Sequence, residues 1–343
     1  MIGISQRKIF YFFLIFALLL PIPILQAKET LEQKPIKLRV VMASYLTFAT
    51  YFIAQEEGFF TKEGLQVDFV KMDDAGDAMP ALIQGNLDVV SGFITAAPFN
   101  AMARGAKVIL AGDKGYVAST GCVFMSFVAR KELVESGKLK NPAQLKGRRI
   151  VMFRGSNAAG YCTEKILEMG GLTLDDIEIV NLPNPARPEA LKKGSIDLFL
   201  AFEPWVTMTT QTGHGVIWMP AQEIIPDFPT APLIFGPSLV DKNRDTGKRF
   251  MVAYLKGVRQ YNLGKTDRNL EIISKYTGLD RELLKKLCWP PIRNNGMINV
   301  ESMMDFQRWA TKRGYLDRVI PPNQFWDPSF IEYGNRILGT ANQ

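Results

Sequence analysis

One loop of this sequence combines residues that could bind an anion. The loop Arg154–Asn157 (RGSN) lies between a predicted buried strand and the predicted helix Ala158–Met169. The first N–H groups of a helix have no partner inside the helix, and the helix dipole makes that end positive. Gly155 would let a ligand approach the backbone, and Ser156 could donate its hydroxyl beside Asn157. The pattern predicts an anion site, with Ser156 as a simple helix N-cap as the alternative.

A second candidate cluster follows another apolar strand. Glu203 and Trp205 lie in the segment Phe202–Trp205 (FEPW), between the strand Ile196–Ala201 and a helix. An ionised Glu203 would repel an anion, so it favours a ligand with an N–H donor or a cationic end. The alternatives are that Glu203 caps its helix and that Trp205 packs in the core instead of covering a ligand.

Three more segments are candidates by their position alone. In an open α/β sheet the ligand lies beyond the carboxyl ends of the strands. Tyr45 and Phe48 follow the first strand and are predicted as stacking faces, although Phe48 could equally belong to the core. Thr95 precedes a helix and could cap it while binding a ligand. Gly121 and Cys122 are predicted at the cleft floor, where a glycine would permit the torsion of a hinge.

Residues for catalysis or metal binding are sparse. The only histidine, His214, lies in a glycine turn, and Gly112–Gly115 (GDKG) lacks the pattern of a phosphate-binding loop. The cysteines are Cys122, Cys162 and Cys288, without a CxxC pair. Three buried thiols, or one Cys122–Cys162 bridge, are the two interpretations. We expect no metal, no cofactor and no enzymatic activity.

The elements that must position these residues alternate between strand and helix in two successive series. Such alternation predicts mainly parallel sheets with helices on their faces. The predicted strands of the two series are Leu38–Met42, Leu65–Lys71, Leu87–Ser91 and Lys107–Ala111, then Cys122–Ala129, Arg149–Phe153, Ile177–Val180, Ile196–Ala201 and Val216–Met219. Ala231–Phe235 is interpreted as a connection. Four helices are predicted after Thr246, at Lys248–Leu263, Arg268–Tyr276, Arg281–Leu287 and Val300–Lys312.

This order predicts a two-lobed α/β fold in which the chain crosses between lobes twice. Residues 36–122 with 234–343 would form the first lobe, and residues 123–233 the second. The crossings are expected near Gly121–Phe124 and Thr230–Phe235. A tandem arrangement with a third, helical domain is the alternative.

The N-terminal segment is typical of an export signal. Arg7 and Lys8 precede an apolar run from Ile9 to Leu20, prolines follow, and Ala27 offers a small residue for cleavage. The alternative, a retained anchor, needs about 20 apolar residues. We therefore expect residues 1–27 to be removed and the protein to act in the periplasm or outside the cell.

The composition excludes other classes of protein. The chain has 343 residues, 22% of them charged and 47% hydrophobic, and a net charge of +7, of which the signal contributes two. These values are typical of a globular protein. The positive charge is spread along the chain without a basic block, so we expect no nucleic-acid partner.

Four motifs carry a family resemblance: QEEGFFTKEGLQVDF at Gln55–Phe69, ALIQGNLDVVSG at Ala81–Gly92, QLKGRRIVMFRGSNAAG at Gln144–Gly160 and GSIDLFLAFEPW at Gly194–Trp205. Together they resemble the solute-binding proteins of ABC importers in the nitrate/sulfonate/taurine and thiamine-precursor group, the NMT1/THI5-like family. The resemblance covers roughly Leu38 to Lys242. It implies a periplasmic-binding-protein-like fold (type II) with a two-strand hinge, and a C-terminal helical layer on the first lobe.

The resemblance also implies a function. We expect a monomeric receptor that binds a small anionic organic solute, such as a sulfonate, taurine or nitrate, between its lobes and delivers it to an ABC permease. A thiamine precursor or other nitrogen heterocycle is the alternative ligand. A sensor domain and an enzyme of the same fold are further alternatives. Pyrimidine synthases of this fold depend on a histidine and a cysteine-rich motif; this sequence has no such motif, and its one histidine lies in a glycine turn.

Overall fold

Strands and helices alternate through the first part of the chain, and helices dominate the last part. The computed structural model describes residues 34–72, 75–152 and 155–339. The strands are Ile36–Met42 (β1), Leu65–Lys71 (β2), Val89–Ser91 (β3), Ile109–Asp113 (β4), Met125–Arg130 (β5), Arg149–Val151 (β6), Glu178–Val180 (β7), Leu198–Phe202 (β8), Gly215–Pro220 (β9) and Pro232–Phe235 (β10). The predicted export signal and Arg154 lie outside the described residues.

The α-helices pack around these strands and extend beyond them. They are Ala49–Glu56 (α1), Phe59–Lys62 (α2), Ala75–Ile83 (α3), Ala97–Ala103 (α4), Lys131–Glu135 (α5), Ala158–Met169 (α6), Arg187–Lys192 (α7), Trp205–Gln211 (α8), Arg244–Tyr261 (α9), Asp267–Thr277 (α10), Arg281–Lys286 (α11), Val300–Lys312 (α12), Pro322–Phe325 (α13) and Ser329–Leu338 (α14). Among the described residues, no helix has the length and apolar character needed to cross a membrane.

The strands form two five-stranded sheets with matching orders. The first has the order β2-β1-β3-β10-β4 and the second β7-β6-β8-β5-β9. In each sheet the fourth strand, β10 or β5, runs antiparallel to the other strands. The predicted two-lobed, mainly parallel α/β fold is therefore confirmed.

Two crossing segments join the sheets, residues 114–124 between β4 and β5 and residues 221–231 between β9 and β10. They pair antiparallel. The Val117 N–H donates to the Phe228 carbonyl at 2.9 Å, and the Thr230 N–H donates to the Gly115 carbonyl at 2.8 Å. The chain thus passes between the lobes through a two-stranded ribbon, which is the hinge that the resemblance implied.

An aromatic core lies between the first sheet and its helices. Tyr51 of α1 is fully buried, and the rings of Phe69, Phe250 and Tyr254 lie 6.2, 6.1 and 5.8 Å from it. Phe250 and Tyr254 are four residues apart on α9, so they face the same side of that helix. Helix α9 therefore buries its apolar stripe against α1 and covers the sheet.

Two of the departures from the predicted elements lie after residue 230. Ala231–Phe235, interpreted as a connection, contains β10, which pairs with both β3 and β4. The helices α13 and α14 follow Lys312, where none was predicted. Prolines precede both helices, at Pro321 and Pro328. Proline is well accommodated at a helix start.

Candidate functional site

Loops from both lobes meet where strands of the two sheets end. The loop after β3 pairs with the loop after β6 through an antiparallel bridge between Thr95 and Asn157. The Ala96 N–H donates to the Ser156 carbonyl at 2.9 Å, and the Ala158 N–H donates to the Ile94 carbonyl at 3.1 Å. We call these two hydrogen bonds the loop contact. The structure thus brings Thr95 together with Ser156 and Asn157, which the sequence proposed in a different loop.

The side chains at the loop contact cap the helices that follow. Asn157 accepts a hydrogen bond from the Gly160 N–H at 2.9 Å, and Thr95 accepts one from the Ala97 N–H at 3.3 Å. Within the described residues, the Ser156 hydroxyl makes no hydrogen bond. Because Asn157 caps α6, Ser156 is not needed for that role, and its half-buried hydroxyl is available to a ligand.

The loop after β1 separates its two predicted aromatic residues. Tyr45 is 46% exposed, as a stacking face requires, whereas Phe48 is 2% exposed and lies in the core. The Phe48 ring covers the ammonium group of Lys114 at 3.6 Å. The structure therefore assigns Phe48 to packing against a buried lysine, and its ring offers no surface to a ligand.

The carboxylate of Glu203 is held by three donors. Its Oε2 accepts from the Thr207 N–H at 3.0 Å, and its Oε1 accepts from the Thr207 hydroxyl at 2.7 Å and from the Cys288 N–H at 3.1 Å. Burial raises the pKa of Glu203, and these hydrogen bonds oppose that rise. Glu203 thus caps α8 and contacts the C-terminal region. Trp205 packs against a small apolar cluster of the second lobe.

The cysteine pairing differs from the bridge considered from the sequence. Cys122 forms a disulfide with Cys288, with a Cα–Cα distance of 5.6 Å, and Cys162 is a free, buried cysteine in α6. Both interpretations are therefore wrong: Cys122 does not pair with Cys162, and of the three cysteines only Cys162 is a free, buried thiol. The partners lie 166 residues apart in the chain, and only the fold brings them together. Gly121, beside Cys122, has a φ of +97°, which explains the glycine at this position.

A buried charge cluster at the hinge was missed in the sequence. Asp113 at the end of β4 accepts from the Arg293 N–H at 3.0 Å and from the Gly115 N–H at 3.3 Å. Burial raises the pKa of Asp113 to about 6 and lowers the pKa of the neighbouring Lys114. The sequence signal was the charged pair directly after a buried strand, in the segment Gly112–Gly115 that was interpreted only as a loop. Arg293 carried no local signal.

Two cavities lie away from the loop contact. One of about 350 Å³ lies between α6, residues 224–228 and α12, and its wall includes Tyr161, Phe228 and Asp305. Another of about 340 Å³ lies in the second lobe beside His214. None of the residues proposed from the sequence lines either cavity. Within the described residues, His, Cys, Asp and Glu side chains form no group of three that could hold a metal ion.

Curated relatives of this chain include proteins named for binding. A protein of Brucella abortus named as a binding protein is 22% identical over 278 residues, which cover 80% of this chain and 81% of that protein. The binding protein YtlA of Bacillus subtilis is 24% identical over 316 residues, covering 88% of this chain and 90% of the relative. Both alignments extend over most of both chains.

Solved structures share the fold at low sequence identity. The periplasmic aliphatic sulphonate binding protein SsuA from Escherichia coli has a TM-score of 0.69 at 16% identity, covering 86% of this chain and 93% of its own. The periplasmic nitrate-binding protein NrtA from Synechocystis has a TM-score of 0.70 at 14% identity, covering 90% of each chain. The desulfurization enzyme DSZB has a TM-score of 0.61 at 14% identity, covering 88% of this chain and 99% of its own. The fold is thus shared by binding proteins and by an enzyme.

The family model described as NMT1/THI5 like matches residues 46–262. This match covers more than half of the 343 residues. It includes the loop contact, both crossing segments and Glu203. The chain belongs to the NMT1/THI5-like family.

Proposed function

We propose that this chain is the solute-binding component of an ABC importer and closes its lobes around a small organic solute with one anionic group. Sulfonates are the first candidates and nitrogen heterocycles the second. Family membership supports the general role. The names of the neighbours SsuA, for aliphatic sulphonate, and NrtA, for nitrate, support an anionic ligand.

The loop contact is the observation that carries this proposal. It joins the carboxyl-end loops of β3 and β6, the position where open α/β sheets bind ligands. Helix α6 begins there, so its positive end and the Ser156 hydroxyl can stabilise an anionic group. Tyr45, Thr95, Asn157, Gly121 and the region of Glu203, Cys122 and Trp205 complete the proposed surroundings of the ligand. We withdraw Phe48, because it is buried.

A catalytic role receives less support from these residues. The described cysteines offer no nucleophile, because Cys122 and Cys288 are joined and burial raises the pKa of Cys162. A cysteine acts as a nucleophile in its thiolate form, which burial disfavours. His214 lies in an exposed turn far along the chain from the loop contact. Binding without chemistry is therefore the function that these groups serve best.

The remaining parts of the proposal concern location, partner and domain limits. We propose that residues 1–27 direct export, that the mature protein acts as a monomer in the periplasm or outside the cell, and that it delivers its solute to a membrane permease. We place the first lobe at residues 36–122 with 234–343 and the second at 123–233. The strand membership of the two sheets supports these limits, except that β10 of the first sheet begins at Pro232, two residues before the proposed limit.

A thermal-shift screen tests the proposed ligand class. Taurine, alkanesulfonates, nitrate and an aminopyrimidine would be compared with sugars and divalent metal ions. A ligand present at about 100 times its Kd adds roughly 2.7 kcal/mol to the free energy of unfolding. We expect a sulfonate to give the largest rise in melting temperature. A response to sugars or metal ions alone would contradict the proposed class, and product formation seen by mass spectrometry would indicate an enzyme.

A further inference from the structure

A segment of the C-terminal region, residues 288–313, is anchored to the first lobe; we call it the strap. The Tyr261 hydroxyl on α9 donates to the Pro290 carbonyl at 2.9 Å, and the Asn262 amide donates to the Ile292 carbonyl at 2.9 Å. The Trp289 ring stacks on Tyr261 with centroids 5.3 Å apart. The start of the strap is therefore fixed to the longest helix of the first lobe.

The first attachment of the strap is covalent and lies at the end of the first crossing segment. Pairing between the crossing segments reaches Val117, and Cys122 lies five residues further toward the second sheet, three residues before β5. Cys288 is bonded to Cys122, and its N–H donates to Glu203, directly after β8 of the second lobe. The disulfide thus ties the strap to the crossing segment beyond the paired part of the hinge, next to the second sheet.

The second attachment is at the hinge itself. The Arg293 guanidinium lies over the Tyr116 ring at 3.7 Å and lies 3.7 Å from the Asp113 carboxylate. It also pairs with Asp227, whose carboxylate accepts from the Asn299 amide at 2.7 Å. Tyr116 and Asp227 belong to different crossing segments. Arg293 therefore holds both strands of the hinge to the strap.

The third attachment is between α12 and α6 of the second lobe. Lys165 pairs with Asp305 at 2.9 Å, the Tyr161 hydroxyl donates to the same carboxylate, and Arg313 pairs with Glu164. The Phe306 ring contacts Tyr161 on one side and Phe99 of α4 on the other, at 5.6 and 6.0 Å. Helix α12 thus lies against both lobes, beside the helices that begin at the loop contact.

From these attachments we propose that the strap limits the opening of the lobes and that the Cys122–Cys288 disulfide is a reducible lock on this movement. Rotation of the second lobe about the hinge would move Cys122 and α6 away from a segment fixed to the first lobe. The inference rests on the proposed function only in treating the space between the lobes as a solute cleft. Loss of the lock lowers the population of the closed arrangement and weakens solute binding.

Hydrogen exchange at the loop contact tests the proposal without any solute. The backbone amides of Ala96 and Ala158 bond across the lobes, and neither bonds to the strap. In the double variant Cys122→Ser/Cys288→Ser we expect the amide protons of both residues to exchange with solvent about tenfold faster. A tenfold change corresponds to a loss of stability of about one net hydrogen bond. A dithiol should have the same effect on the native protein, since Cys122 is exposed. The S–S bond breaks, two S–H groups form, and the dithiol is oxidised to a cyclic disulfide, with two electrons and two protons transferred.

Two further variants make the outcome decisive. Lys165→Met removes only the ion pair of α6 with Asp305 on α12 and should accelerate the exchange of the same amides less. This variant keeps the test usable if the double variant does not fold. Asp317→Asn, which breaks an exposed ion pair with Arg104, is the control. It should leave the exchange rates of the Ala96 and Ala158 amides unchanged. Faster exchange confined to residues beside Cys122 and Cys288 would overturn the proposal. Failure of the solute screen would leave this result intact, so the two proposals fail separately.

Discussion

The two lobes share one strand order but differ in what covers their sheets. The first sheet is covered by α9 and α14, α10 packs on α1, and the sheet belongs to a large apolar cluster that includes the Tyr51 aromatic core. One face of the second sheet shares this cluster through Phe127 and α6, and the other face has a separate small cluster around Val128, Leu191 and Phe199. Equal topology has therefore not produced equal packing, because the C-terminal third of the chain folds onto the first lobe and reaches the second mainly through the strap.

This contrast has a consequence for stability. Burial of apolar area is the main source of folding free energy, so the lobe with fewer covering helices should be the weaker unit by itself. The second lobe gains the disulfide and the ion pairs of the strap. We therefore expect changes in the strap to destabilise the second lobe more than the first.

Removing the disulfide should have the largest effect. A bridge that closes a loop of this length restricts the unfolded chain, so Cys122→Ser/Cys288→Ser should lower the free energy of unfolding by about 2–5 kcal/mol. Denaturant unfolding followed by circular dichroism would measure the loss, and we expect the second lobe to unfold in a separate, earlier step. A single transition with an unchanged midpoint would show that the strap adds nothing to this lobe.

Removing one partner of the Glu164–Arg313 pair should have the next largest effect. Glu164 is only 2% exposed, and Arg313→Met would leave its carboxylate buried without a cation. Because Arg313 is partly exposed, we expect a loss of about 3 kcal/mol, at the lower end of the cost for a buried pair. The matched double variant Glu164→Gln/Arg313→Met should regain part of this loss in the same unfolding assay, and an equal or larger loss would contradict the assignment.

The hinge carboxylate Asp113 should make stability depend on pH. Burial raises the pKa of Asp113 from 3.8 to about 6. The contribution of this carboxyl group to the free energy of unfolding is therefore complete below pH 3.8 and is lost as the pH rises through about 6. Relative to Asp113→Asn, the native protein should lose at most about 3 kcal/mol of unfolding free energy between about pH 4 and pH 6. Measuring the free energy of unfolding at several pH values would give its dependence on pH. The control Asp317→Asn should show the same dependence as the native protein. Equal slopes in native protein and Asp113→Asn would contradict the prediction.

The loop contact should show the smallest effect, and on binding rather than on stability. If the Ser156 hydroxyl donates to an anionic group, Ser156→Ala should weaken binding of the best sulfonate by about 1–2 kcal/mol, the value of a hydrogen bond to a charged partner. Isothermal titration calorimetry would measure the change. The fold should be unaffected, because Asn157 caps α6. Unchanged affinity would show that the ligand does not contact this hydroxyl.

The local pattern of the sequence predicted the parts of the fold that depend on neighbouring residues. The continuous apolar runs at β1 and β8 indicated strands buried on both faces, and the strand–helix alternation indicated two mainly parallel sheets. The position of strand ends also indicated that Thr95 and Asn157 belong to one region. These features follow from hydrophobic periodicity and from the geometry of parallel sheets, which short segments of sequence contain.

Only the tertiary structure decided which distant residues meet. Cys122 pairs with Cys288 and not Cys162, Phe48 covers Lys114 in the core, and Arg293 joins both crossing segments. Each outcome depends on how the C-terminal helices pack on the first lobe, and no local propensity specifies that packing. A side chain after a strand can point to a cleft or to a core with the same local pattern. The chain therefore determined its elements by itself, whereas the strap and the final surroundings of the candidate site required the assembled lobes.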